Sequence, residues 1–364
     1  MKLRLTQRRI AVPILVLAFV TLLTSTALAA GTVTGRIFSE AAPYLLEGVA
    51  VSNGEQVVLT DHQGRYELSI DDDFALIHVS VPSGYRPVDE RWFDRVYVEG
   101  EVRLDFVLAP EEQPDTWSFI HITDVHIRPE NAEFVAGFPR YVNALDDPRP
   151  ALVANTGDLI HDLRSIEGYD GIREGFAMYT DAMDGLEVPL RNVIGNHEHA
   201  GYRTDMNPDS CLFSAGSYER LLGPRSYSYN YGGMRLIALD NTRVNIPVDG
   251  GYHSAISDRC MRWLAADLAV TDEQKPILLL MHQPPGNIRN GEELFDLLAG
   301  RTIHGIFYGH RHTVDEYEYE GIPAFRSGSL TRPGGGAARG YRLVTVGPDG
   351  IIETSYRSLE DTGE

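Results

Sequence analysis

Five short motifs offer metal chemistry: Asp124 and His126 in DVH, Asp158 in GD, Asn196, His197 and Glu198 in GNHE, His282 in MHQ, and His310 and His312 in GHRH. The donors are carboxylate, amide and imidazole groups with no thiolate, a set that suits Mn, Fe, Zn or Co. One Asp-x-His alone is an ordinary strand-end turn. Five polar strand ends in series are not explained that way.

The elements that must position these groups are legible around them. Apolar runs at 118–122, 150–155, 188–194, 275–281 and 303–308 each read as a buried strand and each end at one of the motifs. In layered α/β folds the carboxyl ends of such strands gather at one edge. The glycines beside the motifs allow sharp turns and close backbone approach. Helical patterns are predicted over 132–145, 172–183 and 292–298, and Ser257 caps a further helix with Met261, Leu264 and Leu268 on one face. Residues 227–231 and 234–239 form a hairpin about Gly232-Gly233, and short strands at 314–319, 322–327, 341–346 and 350–355 finish the chain.

The segment 30–109 has another character. Short alternating runs are broken by turn residues such as Ser52-Asn53-Gly54 and Asp61-His62-Gln63-Gly64, with no helical period, which predicts a small all-β sandwich. Its His62 and His78 lie outside the motif series and are read as turn and strand residues. Residues 110–116 form a polar, proline-bracketed linker, residues 117–356 the second domain, and 357–364 a polar tail.

Residues 1–29 read as an export signal: Lys2, Arg4, Arg8 and Arg9, an apolar stretch from Ala11 to Leu23, then Ala27-Leu28-Ala29 as a cleavage site. A periplasmic or extracellular protein with no stable membrane span after cleavage is expected. The 364 residues carry a formal charge of −20, and removal of residues 1–29, with four basic and no acidic side chains, takes it to −24. Such a chain repels long polyanions and has no basic stripe to offset this, so a nucleic-acid polymer is not an expected partner. Only Cys211 and Cys260 are present, and an even count in an exported chain predicts a disulfide.

The motif series D-x-H, GD, GNH with a following acid, H, and GHxH resembles the calcineurin-like metallophosphoesterase family over about residues 116–330. The resemblance implies an α/β fold, a four-layer α/β/β/α sandwich, and two divalent or trivalent transition metal ions, Mn, Fe or Zn. It implies that Asp124, His126 and His312 hold one ion, that Asn196, His282 and His310 hold the other, and that Asp158 bridges them. The implied reaction is hydrolysis of small phosphodiesters or monoesters by a hydroxide bridging the ions. His197 is expected to contact phosphate or protonate the leaving oxygen, and Glu198 to orient His197. His161, Asp162 and His199 are expected behind the ligands or toward substrate. His161 stands where the purple-acid-phosphatase branch carries a tyrosine ligand, which argues against that chemistry here. The run GVAVSNGEQVVLTDHQGRYEL resembles transthyretin-like or carboxypeptidase-regulatory modules.

Two other functions compete with this reading. A binding protein on an inactive metal scaffold needs a missing ligand, and none is missing. An adhesion or carbohydrate-binding module needs an aromatic platform on the β-sandwich, for which Tyr85, Trp92, Phe93 and Tyr97 are the candidates.

Overall fold

A computed structural model describes residues 31–359 apart from 99, 246–250, 333 and 335–337. The export signal predicted over 1–29 and the end of the predicted tail, 360–364, lie outside the described residues. Among the described residues no helix is long and apolar enough to cross a membrane.

The first nine strands are β1 (Gly31–Ser39), β2 (Ala50–Ser52), β3 (Val57–Leu59), β4 (Arg65–Ile70), β5 (Phe74–Ser80), β6 (Tyr85–Pro87), β7 (Phe93–Tyr97), β8 (Gly100–Arg103) and β9 (Phe106–Pro110). They form two facing sheets, ordered β4-β1-β9-β6 with β8 also on β1, and β3-β2-β5-β7. Alternation along β1 turns Val33 and Ile37 into the core, as half-buried strands require.

The second domain carries two central sheets. One joins β10 (Trp117–Ile122), β11 (Val153–Asn155), β12 (Leu190–Asn192), β21 (Gly340–Val346) and β22 (Ile352–Ser358) in the order β12-β11-β10-β21-β22. The other joins β13 (Tyr227–Tyr231), β14 (Met234–Leu239), β17 (Ile277–Met281), β18 (Ile303–Tyr308), β19 (Asp315–Tyr319) and β20 (Ile322–Arg326) in the order β13-β14-β17-β18-β20-β19. A separate hairpin, β15 (Thr242–Asn245) and β16 (Gly251–Ser254), lies within the long loop after β14. Helices α1 (Ala132–Asn143), α2 (Tyr169–Met183) and α3 (Ala215–Leu221) cover the first sheet, and α4 (Asp258–Ala269) and α5 (Gly291–Leu297) cover the second. The result is the expected four-layer α/β/β/α sandwich. Ser257 caps α4, its Oγ accepting from the Cys260 amide at 3.2 Å. Strand β22 runs to Ser358, past the predicted boundary, because Gly340 on β21 still finds a partner there.

The disulfide expectation is overturned. Both thiols are free: Cys211 is exposed, while Cys260 is buried on α4 with Sγ 3.1 Å from Ser226 Oγ. The helix turns Cys260 into the core, away from the surface that Cys211 occupies.

The β-sandwich is docked, not tethered. One hydrophobic core runs from Val33, Ile77 and Trp92 through Tyr227 and Tyr229 to Leu278 and Phe307 between the central sheets. Trp92 is therefore buried, with its ring 4.7 Å from that of Tyr227, so it offers no adhesive aromatic platform. A buried polar network crosses the same boundary: Ser80 Oγ lies 2.5 Å from Ser228 Oγ, which meets Asp267 Oδ1 at 2.8 Å, and Arg235 donates to both. The linker is anchored too, since Gln113 Oε1 accepts from the Gly84 and Gly232 amides at 3.0 Å each.

Arg191 on β12 is the most demanding member of the interface. Its side chain is buried, sits 4.5 Å over the Tyr229 ring and 5.3 Å over the Trp92 ring, and donates to Glu90 at 3.1 Å. Glu90 is half exposed, so screening makes that ion pair worth about 1 kcal/mol at most. The packing of the guanidinium and its stem is worth more. We expect Arg191→Ala to cost roughly 2–4 kcal/mol in urea unfolding, the scale of a large core truncation. Glu90→Ala should cost less than about 1 kcal/mol. Equal losses would show that the ion pair dominates.

Two imidazoles are buried in the neutral form. His78 lies between Trp92 and Trp263 with no hydrogen bond to either ring nitrogen, and His121 is held by Thr156 Oγ1 and Ser327 Oγ at 2.8 Å each. Burial lowers both to about 3 from an ordinary 6.5. The unfolded chain binds those protons near pH 6.5 and the folded chain only near 3, so stability falls as pH drops through that window. We expect the thermal midpoint to fall between pH 7 and pH 5, and to fall less in His78→Phe. The same pH dependence in both proteins would refute the assignment to His78.

Candidate metal centre

Strands β10, β11 and β12 run parallel, as do β14, β17 and β18, so their carboxyl ends share one edge of the two packed sheets. The loops leaving that edge carry all seven predicted ligands. Asp124 Oδ1 lies 3.1 Å from His312 Nε2 and 3.7 Å from His126 Nε2, and the two imidazole nitrogens are 3.0 Å apart. On the other side His282 Nε2 lies 3.1 Å from Asn196 Oδ1 and 3.3 Å from His310 Nδ1. Between them stands Asp158, whose Oδ2 is 3.6 Å from His126 Nε2 and 3.3 Å from His282 Nε2. One carboxylate oxygen thus faces both groups of donors.

The backbone bends unfavourably to achieve this. Among the described residues nine non-glycine positions have positive φ, and five of them are Asp124, His126, Asp158, His310 and His312. Each such conformation costs of order 1–3 kcal/mol, and strain concentrated on ligands is strain spent on a site. Two glycines answer a different need. A Cβ on Gly195 would sit 2.4 Å from Asp158 Oδ1, and one on Gly309 would sit 2.5 Å from Asp124 Oδ2. These motif glycines are required because a ligand carboxylate passes where a side chain would be.

The donor set fits cations. Asp124 and Asp158 are fully buried, which alone would raise their pKa values, yet neighbouring imidazoles outweigh burial and hold both well below the usual carboxylate range. Burial opposes a charge on His282, but Asp158 raises it to about 9, and Asp124 raises His312. Two buried carboxylates are calling for positive charge. Asp124 Oδ1 has no hydrogen bond. His282 Nδ1 meets the Thr156 carbonyl at 2.8 Å, which leaves Nε2 facing the donors in the orientation a metal needs. Among the described residues, possible imidazole and carboxylate ligand atoms lie within 4.8 Å of one another in three groups: Asp124, His126 and His312; Asp158, His282 and His310; and a third that shares His126 with His161 and His197.

His197 is fixed beside this cluster. Its Nδ1 donates in a short bond to the His161 carbonyl, its amide donates to Asp158 Oδ1 at 2.9 Å, and its Nε2 stands 3.7 Å from Asp158 Oδ2. Glu198 does not orient it, contrary to expectation. The buried Glu198 carboxylate instead accepts from the amides of Gly195, Asp158 and Ile160 at 2.8, 2.9 and 3.0 Å, tying two ligand loops together. Burial, then the Asp158 charge, raises it to about 8. Asp162 is turned to Arg164, at 2.6 Å, and Ser165. His199 is buried, with Nδ1 2.8 Å from Ser214 Oγ and Nε2 3.6 Å from Asp240. His161 takes a bond from Arg332 at 2.9 Å.

Three contributors were not singled out as site residues in the sequence. Gln283 donates to Asn196 Oδ1 at 3.1 Å, and Asn241 holds the Gln283 backbone through bonds of 2.9 and 3.0 Å, so the pair aims the amide ligand. Gln283 adjoins His282 in sequence, the one clue available. Arg332 lies in a Gly/Pro-rich stretch that reads as an ordinary loop.

We expect Asp158→Asn to lose bound metal and turnover while circular dichroism stays native. Glu198→Gln should also lower metal content, because an amide NH2 then meets backbone N–H donors. Native stoichiometry by elemental analysis in both variants would refute these roles.

Residues 118–314 match the family model described as calcineurin-like phosphoesterase, and residues 31–110 match the one described as the N terminal of calcineurin-like phosphoesterase. A probable cyclic nucleotide phosphodiesterase of Rhodococcus erythropolis is 29% identical over 264 residues, 65% of this chain and 81% of that protein. A probable glycerophosphodiester phosphodiesterase of Arcobacter nitrofigilis is 24% identical over 179 residues, 46% of this chain and 58% of that protein. A dimetal phosphatase from Danio rerio aligns with a TM-score of 0.45 at 16% identity, over 66% of this chain and 99% of that one. The chain belongs to the calcineurin-like phosphoesterase family and is a phosphoric ester hydrolase.

Proposed function

We propose that the protein is an exported phosphodiesterase with a dinuclear metal centre, acting on small diesters. The observation that carries the dinuclear reading is the placement of Asp158 Oδ2 within 3.6 Å of His126 and 3.3 Å of His282, each from a different group of donors. Asp124, His126 and His312 would hold one cation and Asn196, His282 and His310 the other, with Asp158 shared. Cations held there supply Lewis acidity and acidify water, the chemistry that phosphoester hydrolysis needs near neutral pH. Mn, Fe and Zn suit these donors.

The chain's own residues do the rest. The His161 carbonyl fixes the His197 ring through Nδ1 and leaves Nε2 facing the position where a phosphoryl group would lie. From there it can bond a phosphoryl oxygen or pass a proton to the leaving oxygen. Glu198, Gln283 and Asn241 keep the ligands in place before substrate arrives, so little reorganisation is needed. The names of the two relatives, both diesterases, support the diester preference. Export rests on the reading of residues 1–29, and a transthyretin-like identity for the β-sandwich on its turn spacing.

With the metal-loaded protein we expect kcat/KM to be highest for bis(p-nitrophenyl) phosphate, lower for p-nitrophenyl phosphate and lowest for single-stranded DNA at physiological salt. If DNA ranks first, the charge argument fails. If the monoester ranks first, the diester preference alone falls.

A further inference from the structure

We propose that Arg332, His161 and Arg128 form a second anion subsite, which takes a phosphate or carboxylate on the substrate other than the group being hydrolysed. The proposal rests on the phosphoesterase reading and deepens it: the preferred substrates are esters with two anionic groups.

Arg332 is placed with respect to the ligands by a stitched loop. The Leu330 amide donates to the Thr123 carbonyl at 3.1 Å, Ser329 Oγ to the Asp124 carbonyl at 2.6 Å, and Thr331 Oγ1 to the Val125 carbonyl at 2.7 Å. The Arg332 amide then closes onto Ser329 Oγ at 3.0 Å. Three consecutive residues are thus tied to the backbone of the DVH motif, and the next residue is the arginine. A loop held this way sets a side chain as firmly as a strand does.

The guanidinium reaches His161 from this loop, Nη2 to Nδ1 at 2.9 Å. A guanidinium has only donors, so Nδ1 carries the lone pair and the neutral His161 ring carries its proton on Nε2. That ring stacks on His197, with centroids 6.4 Å apart and planes at 28°, and lies edge-on to His126 at 6.2 Å. A ring nitrogen of His161 falls within 4.8 Å of ring nitrogens of His126 and His197. The His126 and His197 rings are closer to each other, at 4.5 Å. His161 therefore stands one ring outside the place assigned to the scissile phosphoryl, and Arg332 stands beyond it.

The charge there lacks a counterion. Among the described residues no carboxylate pairs with Arg332, and its Nε is buried without a hydrogen bond. Burial and then the nearby Arg128 guanidinium lower the Arg332 pKa, outweighing the opposite pull of the Asp124 and Asp158 carboxylates. The Arg128 Nε is also buried without a hydrogen bond, and its ion pair, Glu130 at 3.5 Å, is three-quarters exposed. Two neighbouring guanidinium groups beside a donor imidazole, in a chain of charge −20, make a local site for an anion.

The test measures binding, so it does not depend on turnover. Calorimetry on the metal-loaded full chain compares 1,3-propanediol bisphosphate with propyl phosphate. We expect the bisphosphate to bind at least tenfold more tightly, and Arg332→Ala to reduce that ratio to within about twofold of unity. Arg332→Lys, which keeps the charge, should retain part of the ratio and guards against a folding defect in the alanine variant. Equal affinities in the native protein, or a ratio that survives Arg332→Ala, would overturn the subsite. Loss of bis(p-nitrophenyl) phosphate hydrolysis with the binding ratio intact would instead count against the phosphoesterase reading alone.

Discussion

Two carboxylates, Asp124 and Asp158, are buried at one sheet edge and kept ionised, and the local structure follows from that cost. A buried carboxylate is tolerated only where positive charge and donors surround it. Imidazoles from four separate loops supply part of that charge, and the converging lone pairs of His126, His282, His310 and His312 leave room for cations to supply the rest. The left-handed backbone at five ligands and the Cβ-free approach at Gly195 and Gly309 are consequences of the same convergence.

The supporting groups are arranged around this centre in a definite order. Glu198 binds loop amides and fixes the distance between the Asp158 and Asn196 loops. Gln283 and Asn241 fix the amide ligand from the second sheet. The β-sandwich joins the arrangement through Arg191 on β12, the strand that leads directly into Gly195, Asn196 and His197. The accessory domain packs against that strand through Trp92 and Glu90, and none of the seven candidate ligands lies within it. Its core is continuous with the space between the central sheets.

A dominantly acidic chain can still act on anions, because attraction is confined to the site. The buried carboxylates and imidazoles could hold cations, and the Arg128 and Arg332 guanidinium groups carry positive charge nearby. At physiological salt, screening beyond about 8 Å weakens the global charge more than these close contacts.

Much of this was legible in the sequence. Five apolar runs each ending in a polar motif pointed to the layered α/β architecture, because strand periodicity is a local property of the chain, and the motif series carried the family resemblance that implied the seven ligands and the reaction class. The Ser257 cap and the all-β character of the first domain were equally local. What depended on the tertiary structure was every pairing between distant segments. Glu198 looked like a partner for its neighbour His197 but is turned to three amides across two loops. Cys211 and Cys260 looked pairable by count, yet the α4 face buries one and leaves the other in solvent. Trp92 looked free to bind a ligand until docking of the two domains buried it. Arg332 carried no mark at all in a Gly/Pro-rich loop, because its position is set by hydrogen bonds to a motif some two hundred residues earlier. Residue type and spacing determine which chemistry is available, and only long-range packing decides which side chains share it.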